Sequence, residues 1–143
     1  MATMQLEIIT AERVVYSDEV EAVMAPGIEG DLGILPHHVA LMTILRPGEL
    51  MIRKDGEENY LAVTGGFLEV MDNKVSILAD AAECSEEIDE KRAQEAVMRA
   101  EERILMRSSD VNLENALAQL RRAQVRVVVA RRRRPREERV RGS

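Results

Sequence analysis

The 143-residue chain is 45% hydrophobic but only 2% aromatic. It therefore suits one ordinary domain, or a small domain with an appendage too thin to bury its own core, built from Val, Ile, Leu, Met and Ala without large cavities for flat ligands. Its formal net charge of −6 hides a division, since residues 1–84 carry 5 Lys/Arg against 15 Asp/Glu and residues 85–143 carry 15 against 11, so two surfaces or two partners are implied.

From the N-terminus, MATMQLEI offers no basic stretch followed by an apolar one, and no run in the chain approaches the roughly 20 apolar residues of a bilayer span, so a soluble or peripheral protein is expected. Between Met4 and Asp80 the apolar residues alternate or cluster in short runs: Leu6/Ile8, Val14/Val15, Val20/Ala22/Met24, Leu41 to Leu45, Leu50/Ile52, Leu61/Val63, Phe67 to Val70 and Val75/Ile77. That spacing is the half-buried strand signature, with turn signals at Pro26-Gly27, Pro47-Gly48, Asp55-Gly56, Gly65-Gly66 and Asp72-Asn73. Roughly eight to ten strands in an antiparallel sandwich or flattened barrel are expected over residues 1–84. The single cysteine, Cys84, excludes an internal disulfide and a multi-cysteine zinc site, and agrees with a reducing compartment.

At Cys84 to Ala93 the pattern changes. Ser85 is placed to cap a helix whose first turn holds Glu86 and Glu87, and Ile88, Ala93, Val97, Ala100 and Ile104 form one stripe. SSDVN then breaks the helix, and Asn112 is placed to cap a second one with Leu113, Ala116/Leu117, Leu120, Ala123 and Val127 on one face. The spacing predicts an antiparallel helix hairpin over 85–130 and an α+β fold, sheet first and helices after. Alanine-rich facing stripes bury little, at about 0.8 kcal/mol per CH₂, so the hairpin's grip is modest. Residues 131–143, with RRRRPREERVR, read as a frayed, solvated tail.

The loop GIEGDLGILPHH, Gly27 to His38, exposes Glu29 and Asp31. Its glycines fit neither G-x-G-x-x-G nor a P-loop, and no helix pattern follows to present an N-terminus to phosphate, so it reads as a structural turn or a protein-contact loop. His37 and His38 are adjacent and, in an extended segment, point apart, which disfavours a shared metal. No nucleophile, acid or base constellation stands out. Asp89, Arg92 and Arg99 fall near one helix face and Arg122/Arg126 form an i,i+4 pair. If the helices fold back, these groups converge on a polyphosphate, the competing reading being solvated ion pairs worth ~0.2–0.5 kcal/mol each.

Four stretches in order, GDLGILPHH at 30–38, GGFLEV at 65–70, VSILAD at 75–80 and IDEKRA at 88–93, resemble the epsilon subunit of F-type ATP synthase over about residues 4–130. The resemblance implies a rotor-binding β-sandwich followed by a regulatory hairpin, in a subunit that is no enzyme by itself. It implies that Glu29 and Asp31 face the c-ring and His38 lies toward the gamma subunit. The hairpin would meet acidic segments of the alpha and beta subunits when extended and restrain ATP hydrolysis. ATP enters as a regulatory ligand, no cofactor being required, through Ile88, Asp89, Arg92 and Ala93 of the I/L-D-x-x-R-A motif together with Glu83, Arg99, Arg122 and Arg126. Asn115 departs from nucleotide-binding relatives, which carry a basic residue there. The implied location is the cytoplasmic face of a bacterial plasma membrane, touched only through the complex. The alternative is a β-domain adaptor using its arginine tail on nucleic acid or anionic lipid. The acidic body and scarce aromatics speak against nucleic acid.

Overall fold

Asp55 and Gly56 both adopt positive φ, 52° and 76°, the two-residue hairpin geometry that Asp-Gly favours. They join the two longest strands, β5 (Leu41–Lys54) and β6 (Glu57–Met71), which pair antiparallel from Leu41↔Val70 to Lys54↔Glu57. Asp72 and Asn73, at φ 49° and 60°, make the equivalent turn into β7 (Lys74–Ala79). The computed structural model describes residues 2–106 and 113–142, and the chain divides into two compact units, Met1–Cys84 and Ser85–Ser143.

In the first unit the remaining strands are β1 (Met4–Ile9), β2 (Val14–Val20), β3 (Ala22–Gly27), β4 (Gly30–Ile34) and β8 (Ala82–Cys84). The sheet order is β2-β1-β7-β6-β5-β3-β4, with β8 paired to β6. One pairing departs from the antiparallel expectation: β1 runs parallel to β7, Leu6 beside Val75 and Ile8 beside Ile77. Two of the expected turns also prove to be internal. Pro47-Gly48 lies inside β5 and Gly65-Gly66 inside β6, where both glycines have positive φ. There the inward positions change phase, from Leu45 to Leu50 and Ile52 on β5 and from Leu61 and Val63 to Leu68 and Val70 on β6. A break in alternation of this kind bends a long strand so that its two halves serve different parts of the sandwich. Gly66 is demanded by space as well, since a Cβ there would meet the Leu78 carbonyl oxygen at 2.0 Å. The core is aliphatic, with Leu6, Ile8, Val20, Ile34, Leu50, Ile52, Leu61, Leu68 and Ile77 fully buried, while Phe67 is exposed.

In the second unit Ser85–Glu87 is a single 3₁₀ turn, and α1 (Glu90–Leu105) starts later than the sequence reading placed it. Its cap is Asp89, in extended conformation, whose carboxylate accepts from the Arg92 N–H at 3.2 Å. Ser85 is buried instead of capping a solvent-facing helix end. Ile88, Ala93 and Ala100 are buried as the stripe requires, and α2 (Leu113–Gly142) buries Ala116, Ala123 and Val127. The helix does not end at Ala130 as expected for a frayed tail. Its backbone continues to Gly142, because arginine and glutamate are good helix formers and extending an existing helix is easier than starting one, even with Pro135 in the range. The SSDVN break and the Asn112 cap lie outside the described residues.

Candidate functional site

The β3–β4 turn carries two of the residues expected at a partner surface, Glu29 and Asp31, both exposed. It is anchored to β5 at two places. Ile28 N–H donates to the Ile44 carbonyl at 2.9 Å, and the Arg46 guanidinium donates both to the Gly27 carbonyl and, at 2.6 Å, to Asp31 Oδ1. A Cβ on Gly27 would approach Gly30 O to 2.6 Å, so the strands close tightly at the turn. His38 lies farther along, half-buried, its Nδ1 2.7 Å from the Val39 carbonyl oxygen. His37 corrects the extended reading: its φ is 66°, and its N–H donates to Asn73 Oδ1 at 2.8 Å. Asn73 Nδ2 donates in turn to the Thr3 carbonyl at 3.0 Å, so one side chain ties this loop to the N-terminal segment. Among the described residues no group of three or more His, Cys, Asp or Glu is placed to hold a metal ion.

Sequence reasoning missed the outer face of β5, β6 and β7. Ile44 pairs with Phe67 and Phe67 with Leu78, while Met42 lies two residues from Ile44 and Met71 four from Phe67, on the same outward side. These five side chains are 48% to 67% exposed. Met42, Ile44, Phe67 and Leu78 adjoin one another, while Glu69, beside Met42, stands between Phe67 and Met71. An exposed apolar cluster of this kind suits an interaction surface, and methionines at its edge adapt their shape to a partner. The available signal was alternation with apolar residues on both faces, at Leu41 to Leu45 and Phe67 to Val70, which reads from sequence as a doubly buried strand.

In the hairpin, Arg103 Nη1 donates to Gln119 Oε1 at 2.7 Å and Arg131 Nε to Glu90 Oε1 at 3.1 Å. These two bonds set an antiparallel register that puts Arg99 level with Arg122. Arg92 and Arg99 each precede a buried alanine of α1, Ala93 and Ala100. Arg122 and Arg126 each precede a buried residue of α2, Ala123 and Val127. In an antiparallel pair, residues one step before the buried stripes fall on the same side of both helices, so the four arginines share one face of the hairpin. Among the described residues Arg92, Arg99 and Arg122 make no side-chain hydrogen bond or ion pair. The opposite face holds an open groove of about 670 Å³ lined by Val97, Met98, Val127 and Val128 with Gln94 and Gln124 at its rim. The composition did not foresee this space. Ile88 and Ala93 are buried, Asp89 is the helix cap, and Glu83 belongs to β8 in the other unit.

Residues 3–85 match the beta-sandwich domain of the ATP synthase delta/epsilon chain, and residues 86–131 match its long alpha-helix domain. The chain belongs to the ATP synthase delta/epsilon family. Within it, the ATP synthase epsilon chain of Herpetosiphon aurantiacus is 53% identical over 133 residues, covering 93% of this chain and 98% of the relative. That of Dehalococcoides mccartyi is 52% identical over 139 residues, covering 94% and 96%. The fold is shared with a chain of the Euglena gracilis mitochondrial ATP synthase, resolved as OSCP/F1/c-ring, at TM-score 0.76 and 24% identity over 87% of this chain and 79% of that one. The four-motif resemblance is thus confirmed, and the chain is an epsilon subunit of ATP synthase. Among the described residues no helix is long and apolar enough to cross a membrane.

Proposed function

We propose that the chain is a non-catalytic central-stalk subunit that docks on gamma through its sandwich, meets the c-ring through the Gly27–Asp31 turn, and restrains ATP hydrolysis through its hairpin. The observation that carries this reading is the exposed face of Met42, Ile44, Phe67, Met71 and Leu78 on a sandwich whose core is already filled without them. Burying a half-exposed residue of this size contributes on the order of 1 kcal/mol, so five together support a stable contact. On this reading the chain sits at the cytoplasmic face of the membrane only through the complex. Deleting residues 85–143 should raise ATP hydrolysis by the assembled catalytic head while gamma binding persists. Unchanged hydrolysis refutes the regulatory part.

The arginine face supports ATP as the regulatory ligand. Four guanidinium-bearing residues on one side of two paired helices suit bidentate contacts to polyphosphate oxygens. The same basic face suits acidic segments of alpha and beta, which makes the two occupants competitors. ATP at 100 times its dissociation constant stabilises the bound form by about 2.7 kcal/mol, enough to move a nearly balanced equilibrium. Calorimetry on the parent and Arg99→Ala tests this, and equal heats of ATP binding remove the arginine face from the site.

A further inference from the structure

We propose that two copies of the unassembled chain pair through the open groove of the hairpin, turned end for end, with Glu101 of each copy against the partner's Arg131. This surface is neither the outer face of the sandwich nor the arginine face of the hairpin. The two walls of the groove repeat one pattern: Arg92-Ala93-Gln94-x-x-Val97-x-x-Ala100 on α1 returns as Arg122-Ala123-Gln124-x-x-Val127-x-x-Ala130 on α2. All four alanines are buried, and Gln94, Val97 and Met98 line the groove from the same positions as Gln124, Val127 and Val128. Met98 is 67% exposed and Val128 51%, so the apolar floor is left uncovered by the described residues. The match ends in opposite charges, Glu101 after Ala100 and Arg131 after Ala130.

An antiparallel hairpin whose walls match in this way has an approximate two-fold axis at the middle of the groove. Arg131 is level with Glu90, on which its guanidinium rests at 3.1 Å. Glu101 and Arg131 therefore mark opposite ends of the groove, about 16 Å apart at about 1.5 Å per residue. A second hairpin laid over the first and turned end for end sets each groove position of α1 level with the matching position of the partner's α2. Val97 then stands level with the partner's Val127, and Met98 with the partner's Val128, apolar against apolar. Glu101 stands level with the partner's Arg131, whose guanidinium already leans across toward its own α1, so each end of the contact gains a pair of opposite charges. Among the described residues the Glu101 side chain makes no hydrogen bond or ion pair, so it has none to give up. With like ends together, Glu101 would stand level with the partner's Glu101 and Arg131 with the partner's Arg131, and like charge disfavours that arrangement. A hairpin face about 24 Å long and about 20 Å wide offers about 500 Å² per copy, so the pair buries about 1,000 Å² at most, the range of weak and reversible contacts.

The test is sedimentation equilibrium of the full chain up to about 500 micromolar, with circular dichroism melts confirming that each variant keeps its helices. The parent should dimerise with a dissociation constant of about 10–100 micromolar, and Met98→Glu should raise it at least about tenfold. Glu101→Arg and Arg131→Glu should each weaken association about fivefold, because each sets like charges together at both ends. An equimolar mixture of these two variants should return to the parent's strength, since every end then joins an arginine to a glutamate. Glu102→Arg makes the same charge change one residue along, outside the groove, and should stay within about twofold of the parent. A mixture that associates no better than its two components overturns the proposal, as does a Met98→Glu chain that dimerises like the parent. A parent that stays monomeric at about 500 micromolar also overturns it, and leaves the groove to a helix of another chain.

Discussion

Asp89 is both the N-cap of α1 and a member of the proposed ATP set, and substitution can separate the two roles. Its carboxylate accepts from the Arg92 N–H at 3.2 Å, while its carbonyl accepts the first helical bond from Ala93 at 3.0 Å. Asp89→Ala removes the side-chain acceptor, which costs about 1 kcal/mol, and the loss of a negative charge at the positive end of the helix adds about 0.3–1 kcal/mol. Asp89→Ser keeps a capping oxygen and loses only the charge. The opening equilibrium of the first turn should therefore rise about 10- to 30-fold in Asp89→Ala and less than about fivefold in Asp89→Ser. Hydrogen exchange at the amides of Arg92 and Ala93 reads this directly. Equal exchange in the two variants would show that the cap does not hold the helix start. The same pair assigns the ligand role: Asp89→Ser should lose ATP heat with its helix intact if the carboxylate contacts nucleotide.

Asn73→Ala removes the side-chain bonds to His37 and Thr3 and should destabilise the first unit by about 1–3 kcal/mol, with faster proteolysis near His37. An unchanged urea midpoint and cleavage rate would contradict that. Asp18 gives a pH test. The hydrogen bond from Lys54, helped by the Glu19 N–H, holds its carboxyl below the usual range. Its contribution is therefore present above an unfolded carboxyl pKa of about 4 and is lost as pH falls through the lower folded value. The stability gap between the parent and Asp18→Asn should shrink on going from neutral pH to below about 4, and a gap constant from pH 7 to 3 would refute the pairing.

Much of the sandwich is legible because turn chemistry is local: Asp55-Gly56 and Asp72-Asn73 are placed by residues that tolerate positive φ. Pro47-Gly48 and Gly65-Gly66 use the same residue types for a bend inside strands, and only the partner strand distinguishes the two uses. The parallel β1/β7 pairing is set by tertiary packing, since Leu6 and Ile8 alternate identically in either direction. In the hairpin, the shared arginine face follows from helical spacing alone, because Arg92, Arg99, Arg122 and Arg126 keep fixed offsets from buried alanine and valine. The start of α1 is ambiguous in the sequence because Ser85 and Asp89 are both good caps, and burial of Ser85 and Ile88 decides between them. The Arg46–Asp31 pair joins residues 15 apart in sequence, across a turn whose closure the composition does not reveal.

The most direct measurement for the central-stalk reading is the affinity of the full chain for its own purified gamma subunit, compared with Phe67→Glu. Phe67 sits at the centre of the outer row, between Ile44 and Leu78, and is already exposed, so a charge there leaves the core untouched. Docking through this face predicts a parent complex at micromolar concentration or below, and at least about a 100-fold loss in the variant, since burying an unpaired carboxylate costs several kcal/mol. A Phe67→Glu chain that melts like the parent and still binds gamma equally well would contradict it.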